Sequence, residues 1–475
     1  MSERRISRRQ FVTAVGTASS TVLAGCAGSG GTATTDPASE GTATADATDR
    51  PTAGQSTADR GTTDDADGGL VGAVERAAVP VELGDPGDGL DAVAADLAAT
   101  PVVGIGENSH GVREFKTAAA ALTRRLVADH GYRLVAIEGT LGEFTPVDDY
   151  VTGDSDDLDA AMADLEFYFW RTPELRELFE WLRSFNEGRP AGDRAVVRGY
   201  VAQFHDVNAA ALRSYFERVD PDYLRTVEER LAPLARPLYE REDAEFVTEE
   251  RTALLDDLRE RLRARESAYV EASSRADWEL ARRHVRTLER GLQFFATSHE
   301  QGPTRAKTIR DRTMAENVTW LREWTGADRA VVLGNSNHTM RGATGDDGAG
   351  ARMGQHLTDE LGDDYYSLGL LFGTGRFRAP TGHEPGSFST FDLGGPLEGT
   401  PAATFSDASA PQFVLDFDAA RDSAAVEPWL GDTGRIQFTV PRAADRGAVP
   451  LPAAPGAVYD GVVFARSVSP ASFSG

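Results

Sequence analysis

Two glutamates and two histidines stand out in the sequence because each closely follows a short apolar segment and could take part in acid–base chemistry. They are Glu107, His110, Glu138 and His338. Imidazole exchanges protons near neutral pH, and a carboxylate beside it fixes its tautomer and raises its basicity. Each of these residues taken alone is more often structural than catalytic. Brought together, the four predict a hydrolytic centre.

The apolar segments that precede these residues have the length and composition of buried strands. Segments of this kind occupy residues 101–105, 134–137, 195–198, 330–333, 366–372 and 458–464. Residues 112–129 repeat apolar side chains at helical spacing, so residues 101–137 predict a parallel, right-handed strand–helix–strand unit. Such alternation predicts an α/β fold with a largely parallel central sheet flanked by helices. Ligands bind at the carboxyl ends of the strands in these sheets, where we expect the four residues to meet.

The folded domain is predicted to span residues 70–470. Residues 206–300 are dense in Glu, Arg, Leu and Ala at helical spacing, which indicates a helical insertion packed beside the sheet rather than a separate domain. Residues 375–449 are interrupted by Pro and Gly, which is typical of irregular loops and short edge strands.

Charge and cysteine content restrict the function. Acidic residues number 75 against 49 basic ones, which gives a formal net charge of −26. The electrostatic field of this negative charge repels polyanions, which argues against nucleic-acid binding through phosphate neutralisation. Lys116 and Lys307 are the only lysines, and an acidic, lysine-poor surface predicts a halophilic protein, although biased codon usage would also produce it. A single cysteine excludes an internal disulfide and a multi-cysteine metal site.

The N-terminus has the pattern of an export signal. In residues 1–26, Arg8 and Arg9 precede a weakly apolar stretch that is too short to span a bilayer. The sequence LAGC that ends at Cys26 resembles a lipobox, so Cys26 is the predicted lipidation site. Residues 27–69 are mainly Gly, Ser, Thr, Ala and Asp and predict a disordered tether. We therefore expect an exported lipoprotein, anchored by its lipid to the outer face of the cell membrane.

Two common hydrolase motifs are absent from the sequence. No G-x-S-x-G occurs, so the strained serine turn of a Ser-His-Asp hydrolase is missing. No H-E-x-x-H occurs either, because His299 and His383 are each followed by glutamate but lack the second histidine. These absences favour a centre built from the glutamates and histidines at the strand ends.

Several motifs, in order along the chain, resemble those of the erythromycin esterase family. The first are GENSHGVREF at 106–115 and LVAIE at 134–138. The later ones are Trp170 with Thr172 and Glu174, residues 181–186, Arg310 and Asp311, residues 314–317, residues 335–338, residues 354–375, and residues 459–461. The resemblance covers nearly everything from about residue 75 to residue 465.

The resemblance implies a carboxylic ester hydrolase that needs no metal or other cofactor. It is expected to open a small-molecule ester or macrolide lactone with a histidine-activated water, without a covalent serine intermediate. Opening a macrolide lactone would confer antibiotic resistance. It implies that His110 is the general base, oriented by Glu107 and Glu138. His338 is expected to stabilise charge on the carbonyl oxygen. Substrate contacts are expected from Asn335, Arg113 and Arg310.

Two positions depart from the pattern of the family. The family's His-Asn-x-His is NSNH at 335–338 here, so an amide replaces the first imidazole. The family's Gly-x-Asp after the third strand is GYV at 199–201, which lacks the carboxylate. Asparagine can donate a hydrogen bond to an oxyanion but cannot shuttle a proton. Both changes bear on the substrate more than on the fold.

Two other functions stay open at this point. Glutamate and histidine are suitable ligands for zinc or manganese. A metal-dependent hydrolase could therefore use Glu107, His110, Glu138 and His338 as its ligands. The second possibility is a non-catalytic lipoprotein that binds a small ligand in the same pocket, which the missing imidazole and carboxylate favour.

Overall fold

The computed structural model describes residues 69–83, 89–236, 247–342, 350–380, 388–432, 435–439 and 448–473. The predicted export signal at 1–26, with Cys26, and the predicted tether up to residue 68 lie outside the described residues. No described helix is both long and apolar enough to cross a membrane.

A mixed sheet of mostly parallel strands forms the centre of the described chain. The strands are β1 (Val79–Pro80), β2 (Val102–Glu107), β3 (Leu134–Thr140), β4 (Val196–Val201), β5 (Ala330–Asn335), β6 (Tyr365–Pro380), β7 (Phe388–Leu393), β8 (Gln412–Asp416), β9 (Arg435–Thr439), β10 (Ala448–Pro452) and β11 (Gly461–Val468). The sheet runs β1-β8-β11-β6-β2-β5-β3-β4, with β7 paired to β6, while β9 and β10 form a separate antiparallel pair. The neighbours from β11 to β4 are parallel, whereas β1, β7 and β8 pair antiparallel.

Helices flank this sheet and fill the connections between its strands. They are α1 (Gly69–Ala77), α2 (Leu90–Leu97), α3 (Arg113–Asp129), α4 (Thr145–Thr152), α5 (Leu158–Ala163), α6 (Pro173–Asn186), α7 (His205–Val219), α8 (Pro221–Leu231), α9 (Glu249–Ala264), α10 (Glu266–Ala272), α11 (Arg275–Gln301), α12 (Pro303–Thr325), α13 (Ser336–Thr339), α14 (Met353–Leu361), α15 (Pro401–Ser406), α16 (Phe417–Ala420), α17 (Val426–Gly431) and α18 (Pro455–Val458). The predicted α/β fold with a largely parallel sheet is confirmed.

The inner strands are apolar because helices cover both of their faces. Every residue of β2 and of β3 is buried. The strand–helix–strand unit at 101–137 is parallel as predicted, but β5 inserts between β2 and β3 instead of leaving them adjacent. That insertion brings the ends of three strands side by side.

Two of the predicted strands differ more than the others from the observed bounds. The segment predicted at 366–372 extends to residue 380, because its second half leaves the parallel sheet and pairs with β7. Gly375 adopts a positive φ of 118° at this change of partner. The strand predicted at 458–464 begins at Gly461, because Pro455 starts a short helix just before it.

Helices α7 to α11 lie in the region predicted as a helical insertion. They have an apolar cluster of their own, which includes Leu212, Phe216, Leu258 and Leu288. Helix α11 also approaches the end of β4 closely, since a Cβ at Gly291 would overlap the carbonyl oxygen of Ala202. This contact packs the helices beside the sheet.

Glycine near the end of β5 allows the sheet and the side chains at its edge to approach closely. A Cβ at Gly334 would overlap the hydroxyl of Tyr200 and lie 3.2 Å from Oε2 of Glu138. The Tyr200 hydroxyl donates a hydrogen bond to the carbonyl of Leu333 at 3.0 Å. The backbone of β5 at Gly334 is therefore packed directly against Tyr200 and against Glu138, which is one of the candidate catalytic residues.

We expect Gly334→Ala to destabilise the protein by about 1–3 kcal/mol, because the added methyl group must displace the Tyr200 hydroxyl from a packed core. Urea unfolding followed by circular dichroism measures this change. Gly192→Ala is the matched control, since no heavy atom lies within 4 Å of its added Cβ. Equal unfolding midpoints for the two variants would contradict the close approach.

Candidate active site

The four residues singled out in the sequence lie at the carboxyl edge of three adjacent strands. Glu107 ends β2, and Glu138 lies near the end of β3. His338 is in α13, the short helix that follows β5 directly. Because β5 lies between β2 and β3, all four side chains meet at one edge of the sheet. The structure thus brings together the residues that the strand ends were predicted to deliver.

His110 is held by one hydrogen bond and by aromatic packing. Its Nδ1 lies 3.1 Å from Oε2 of Glu107. An ionised carboxylate has no proton to donate, so in that state Glu107 is the acceptor and Nδ1 is the donor. The ring stacks on Phe169 with centroids 3.9 Å apart, and Trp170 contacts it edge-on. With the proton on Nδ1, Nε2 keeps its lone pair, and it lies 3.8 Å from Oε2 of Glu138. That distance exceeds a hydrogen bond, so this nitrogen remains a candidate base.

Glu138 lies between the two imidazoles as a buried anion. Its Oε1 accepts a hydrogen bond from Arg310 at 2.8 Å and lies 3.6 Å from Nε2 of His338. Its Oε2 accepts the backbone N–H of Asn335 at 2.7 Å. Burial by itself would raise the pKa of Glu138, but His338, His110 and Arg310 together outweigh burial and lower it.

Asp311 orients His338 and was not assigned a role from the sequence. Its Oδ1 accepts a hydrogen bond from Nδ1 of His338 at 2.6 Å and another from the backbone N–H of Met353 at 3.2 Å. Burial alone would raise the pKa of Asp311; the imidazole of His338, with Arg352 and Arg310, instead lowers it to about 2. The carboxylate therefore stays ionised and directs Nε2 of His338 toward Glu138.

Lys116, on the first turn of α3, is the second residue that sequence reasoning missed. Its side chain is fully buried, and Nζ donates a hydrogen bond to Oε2 of Glu107 at 2.7 Å. Nζ also lies 3.7 Å from the centroid of the Trp170 ring. Burial lowers the pKa of Lys116, whereas the Glu107 carboxylate opposes that shift. A signal was present in the sequence, since lysine is so rare in this chain.

The residues predicted to contact substrate have different surroundings. Arg310 belongs to the cluster through Glu138. Asn335 contributes its backbone N–H to Glu138, while its side-chain oxygen accepts the N–H of Asn337 at 2.9 Å. Arg113 instead lies at the surface, where Nε is 3.2 Å from a carboxylate oxygen of Glu174. It lines a separate cavity of about 560 Å³ between α3, the start of α6 and the C-terminal residues.

Glu143 fixes the aromatic segment, residues 165–170, against the end of β3. Its Oε1 accepts the backbone N–H of Phe167 at 2.8 Å, and its Oε2 accepts that of Thr140 at 2.7 Å. Trp170 adds a hydrogen bond from its indole nitrogen to the carbonyl of Glu138 at 2.8 Å. Burial raises the pKa of Glu143 to about 8. The aromatic contacts around His110 therefore depend on a buried carboxyl group.

The carboxylates and imidazoles of the site bear on whether it could hold a metal ion. Across the described ranges, no group of three or more His, Cys, Asp or Glu side chains is arranged to hold one. Glu107 already pairs with Lys116, and Glu138 with Arg310. Two of the four candidate ligands thus have their charge compensated by the protein itself.

Comparison with known sequences finds a family model and a curated relative. The model, described as Erythromycin esterase, matches residues 127–468. The relative is an erythromycin esterase type II from Escherichia coli, 25% identical over 329 residues, which cover 63% of this chain and 76% of the relative.

Solved structures share the fold at low identity. A Bacillus cereus protein has a TM-score of 0.73 and 20% identity, with 85% of this chain and 98% of that chain covered. A succinoglycan biosynthesis protein has a TM-score of 0.70 and 18% identity over the same shares of the two chains. An erythromycin esterase mutant in its open conformation has a TM-score of 0.59 and 17% identity, covering 80% of this chain and 93% of that one.

We expect Glu143→Gln to lower the free energy of unfolding by about 1–3 kcal/mol at pH 5, because the amide nitrogen cannot accept the backbone N–H that the carboxyl group accepts. The pKa of Glu143 is raised in the folded state. Its contribution is therefore complete below the unfolded pKa of about 4.5 and is lost as the pH rises through about 8.

Denaturant unfolding at pH 5, 7 and 9 measures this dependence, and the advantage of the wild type over the variant should shrink as the pH rises. Glu271→Gln, at an exposed position of α10, is the control and should show no such trend. An advantage that grows with pH would overturn the assignment of a neutral, buried Glu143.

Proposed function

Because the chain belongs to the erythromycin esterase family, we propose that it hydrolyses a carboxylic ester or lactone with a water molecule activated by His110. Family membership supports ester hydrolysis in general. The identity of the base, the roles of its neighbours and the substrate class form the proposal.

The observation that carries the proposal is the hydrogen bond between His110 and Glu107. Glu107 accepts the proton of Nδ1, so the lone pair of Nε2 is available to take a proton from water. Phe169 covers one face of the ring and holds Nε2 in a fixed direction. A positioned base of this kind typically accelerates a reaction by about 10²–10⁴.

The reaction then needs groups that stabilise the charge that develops. Water loses a proton to Nε2 of His110 as its oxygen attacks the carbonyl carbon, which gives a tetrahedral oxyanion. In its protonated form, His338 donates from Nε2 toward that oxyanion, with Asp311 supporting the positive ring. The tetrahedral intermediate collapses when the carbon–alkoxide bond breaks, and the proton on His110 passes to the leaving alcohol. No covalent bond to the protein forms.

Glu138 holds this arrangement together electrostatically. Its carboxylate lies within 4 Å of a nitrogen of each imidazole, so it stabilises positive charge on either ring. Arg310 pairs with the same carboxylate and gives it a cationic partner at every stage, including when His110 is neutral. The proton can thus move through the cycle without leaving a buried charge unpaired.

Asn335 offers the substrate an amide where the family has an imidazole. The family's imidazole at this position could exchange a proton, whereas the amide can only donate or accept hydrogen bonds. Its side-chain oxygen is already engaged by Asn337, which leaves the amide nitrogen to contact a substrate oxygen. We therefore propose that this amide nitrogen donates a hydrogen bond to the substrate, at a position where the family's imidazole could exchange a proton.

An ester and lactone panel on the full-length protein, in molar salt, tests the proposal. We expect His110→Asn to reduce kcat/KM by about 10²–10⁴, because the amide cannot accept the proton of water. His299→Asn, at an exposed position of α11, is the matched control and should retain wild-type turnover. Full activity of His110→Asn would refute the role of this base.

The same panel, repeated after exhaustive EDTA treatment, separates the two enzyme hypotheses. Retained activity supports the metal-free route. Lost activity that returns with zinc or manganese supports a metal bound by Glu107, His110, Glu138 and His338. A wild-type protein that hydrolyses no ester but binds one unchanged supports the non-catalytic lipoprotein.

The location of the protein is a separate part of the proposal. The twin-arginine pattern and the sequence LAGC before the folded chain support export followed by lipid attachment at Cys26. The protein would then act at the outer face of the membrane, where the acidic composition suits concentrated salt.

We expect Cys26→Ser to move the protein from the membrane fraction to the soluble fraction, because a serine cannot carry the thioether-linked lipid. Cell fractionation followed by immunoblotting measures the distribution. Ser20→Ala, a change of similar size within the signal, is the control and should stay membrane-bound. An unchanged membrane fraction for Cys26→Ser would contradict the lipid anchor.

A further inference from the structure

Lysine is nearly absent from this protein, and both lysines are buried. Lys116 and Lys307 are the only lysines among 49 basic side chains, and their exposed fractions are 0% and 1%. Arginine serves at every other basic position. A buried position occupied by lysine in such a chain points to a requirement that arginine cannot meet.

The surroundings of Lys116 show what that requirement is. Nζ lies between Oε2 of Glu107, at 2.7 Å, and the face of Trp170, 3.7 Å from the ring centroid. One ammonium group satisfies both neighbours, through a hydrogen bond and a cation–π contact. An arginine side chain brings five N–H donors in a planar fork, and most of them would be buried without partners here.

A single oxygen atom connects Lys116 to His110. Oε2 of Glu107 accepts a hydrogen bond from Lys116 and also lies 3.1 Å from Nδ1 of His110. Trp170, on the other side of Lys116, contacts the edge of the His110 ring with centroids 5.5 Å apart. Lys116 therefore holds both the carboxylate and one aromatic ring that set the orientation of His110.

We propose that Lys116 is a positioning residue for the hydrolytic reaction, because its ammonium group fixes the Glu107 carboxylate that orients His110. This inference depends on the proposed function. Lys116 is completely buried and has no surface with which to touch substrate. Its effect must therefore reach the reaction through Glu107, and should appear in kcat rather than in KM.

A double-mutant cycle in the full-length protein tests this route. The variants are Lys116→Met, Glu107→Gln and the two combined, since methionine keeps the length of the side chain and glutamine keeps the shape of the carboxylate. We expect each single variant to lower kcat by about 10–10² with little change in KM. The combined variant should be no slower than Glu107→Gln, because Lys116 has no carboxylate left to position.

Unfolding midpoints of the same variants provide a readout without activity. Lys116→Met leaves the Glu107 charge buried with only His110 beside it, so we expect a lower midpoint. The combined variant buries neither charge and should recover much of that loss. If Lys116→Met alone does not fold, comparison of the combined variant with Glu107→Gln still gives the effect of Lys116 on kcat.

Arg125→Met, on the same helix as Lys116, is the control for the loss of a largely buried basic side chain. Arg125 pairs with Asp91 of α2, more than two helical turns along α3 from Lys116, so its effect on kcat, whatever its size, should multiply with that of Glu107→Gln. Multiplicative effects of Lys116→Met and Glu107→Gln on kcat would overturn the inference, as would an unchanged kcat for Lys116→Met.

The outcome for the proposed function is distinguishable. If the wild type hydrolyses no ester or lactone, the proposed function fails and the positioning role fails with it. The unfolding midpoints would still show whether Lys116 and Glu107 form a coupled pair. If the wild type is active and the two substitutions act independently, the inference alone fails.

Discussion

The pairing of the buried Glu138 carboxylate with its neighbours is the interaction on which the rest of the site depends. It ties the end of β3 to α12 through Arg310, and to β5 through the backbone N–H of Asn335. It also lies between the two imidazoles. A carboxylate that is buried away from water is stable in its charged form only when each oxygen has a hydrogen-bond donor or a cation beside it. Satisfying one carboxylate therefore fixes the relative positions of a strand edge, a long helix and two candidate catalytic rings.

The sequence was sufficient to predict the layout of the site but not its inner partners. Glu107, Glu138 and His338 could be placed because apolar segments mark strands and parallel strands end together. The roles of Lys116 and Asp311 could not be predicted, and Asp311 was identified only as part of a motif. The spacing of residues along a helix does not tell which buried charges lie next to each other in the fold. The link from Glu143 to Phe167 spans 24 residues, and the insertion of β5 between β2 and β3 depends on pairings far apart in the chain.

The fold of this chain and the side chains at its strand ends determine different properties of the protein. Solved structures at 17–20% identity cover most of this chain, and they include a succinoglycan biosynthesis protein as well as an erythromycin esterase mutant. A shared fold at such identities says how the strands are arranged, whereas activity depends on the groups at their ends. In this chain those groups include an amide at 335 and a buried lysine at 116. The chemistry of this chain therefore depends on these groups and does not follow from the shared fold alone.

The packing of Phe169 on His110 has a consequence for selectivity. An imidazole receives a proton only within its own plane, along the direction of the Nε2 lone pair, and the Phe169 ring stacked 3.9 Å away fixes the orientation of that plane. In the proposed reaction, water activated along that single direction attacks a bound carbonyl from one side. The direction of attack is then fixed within a chiral site, and the two enantiomers of a chiral ester present different groups to the attacking oxygen. An enzyme built this way would resolve racemic mixtures.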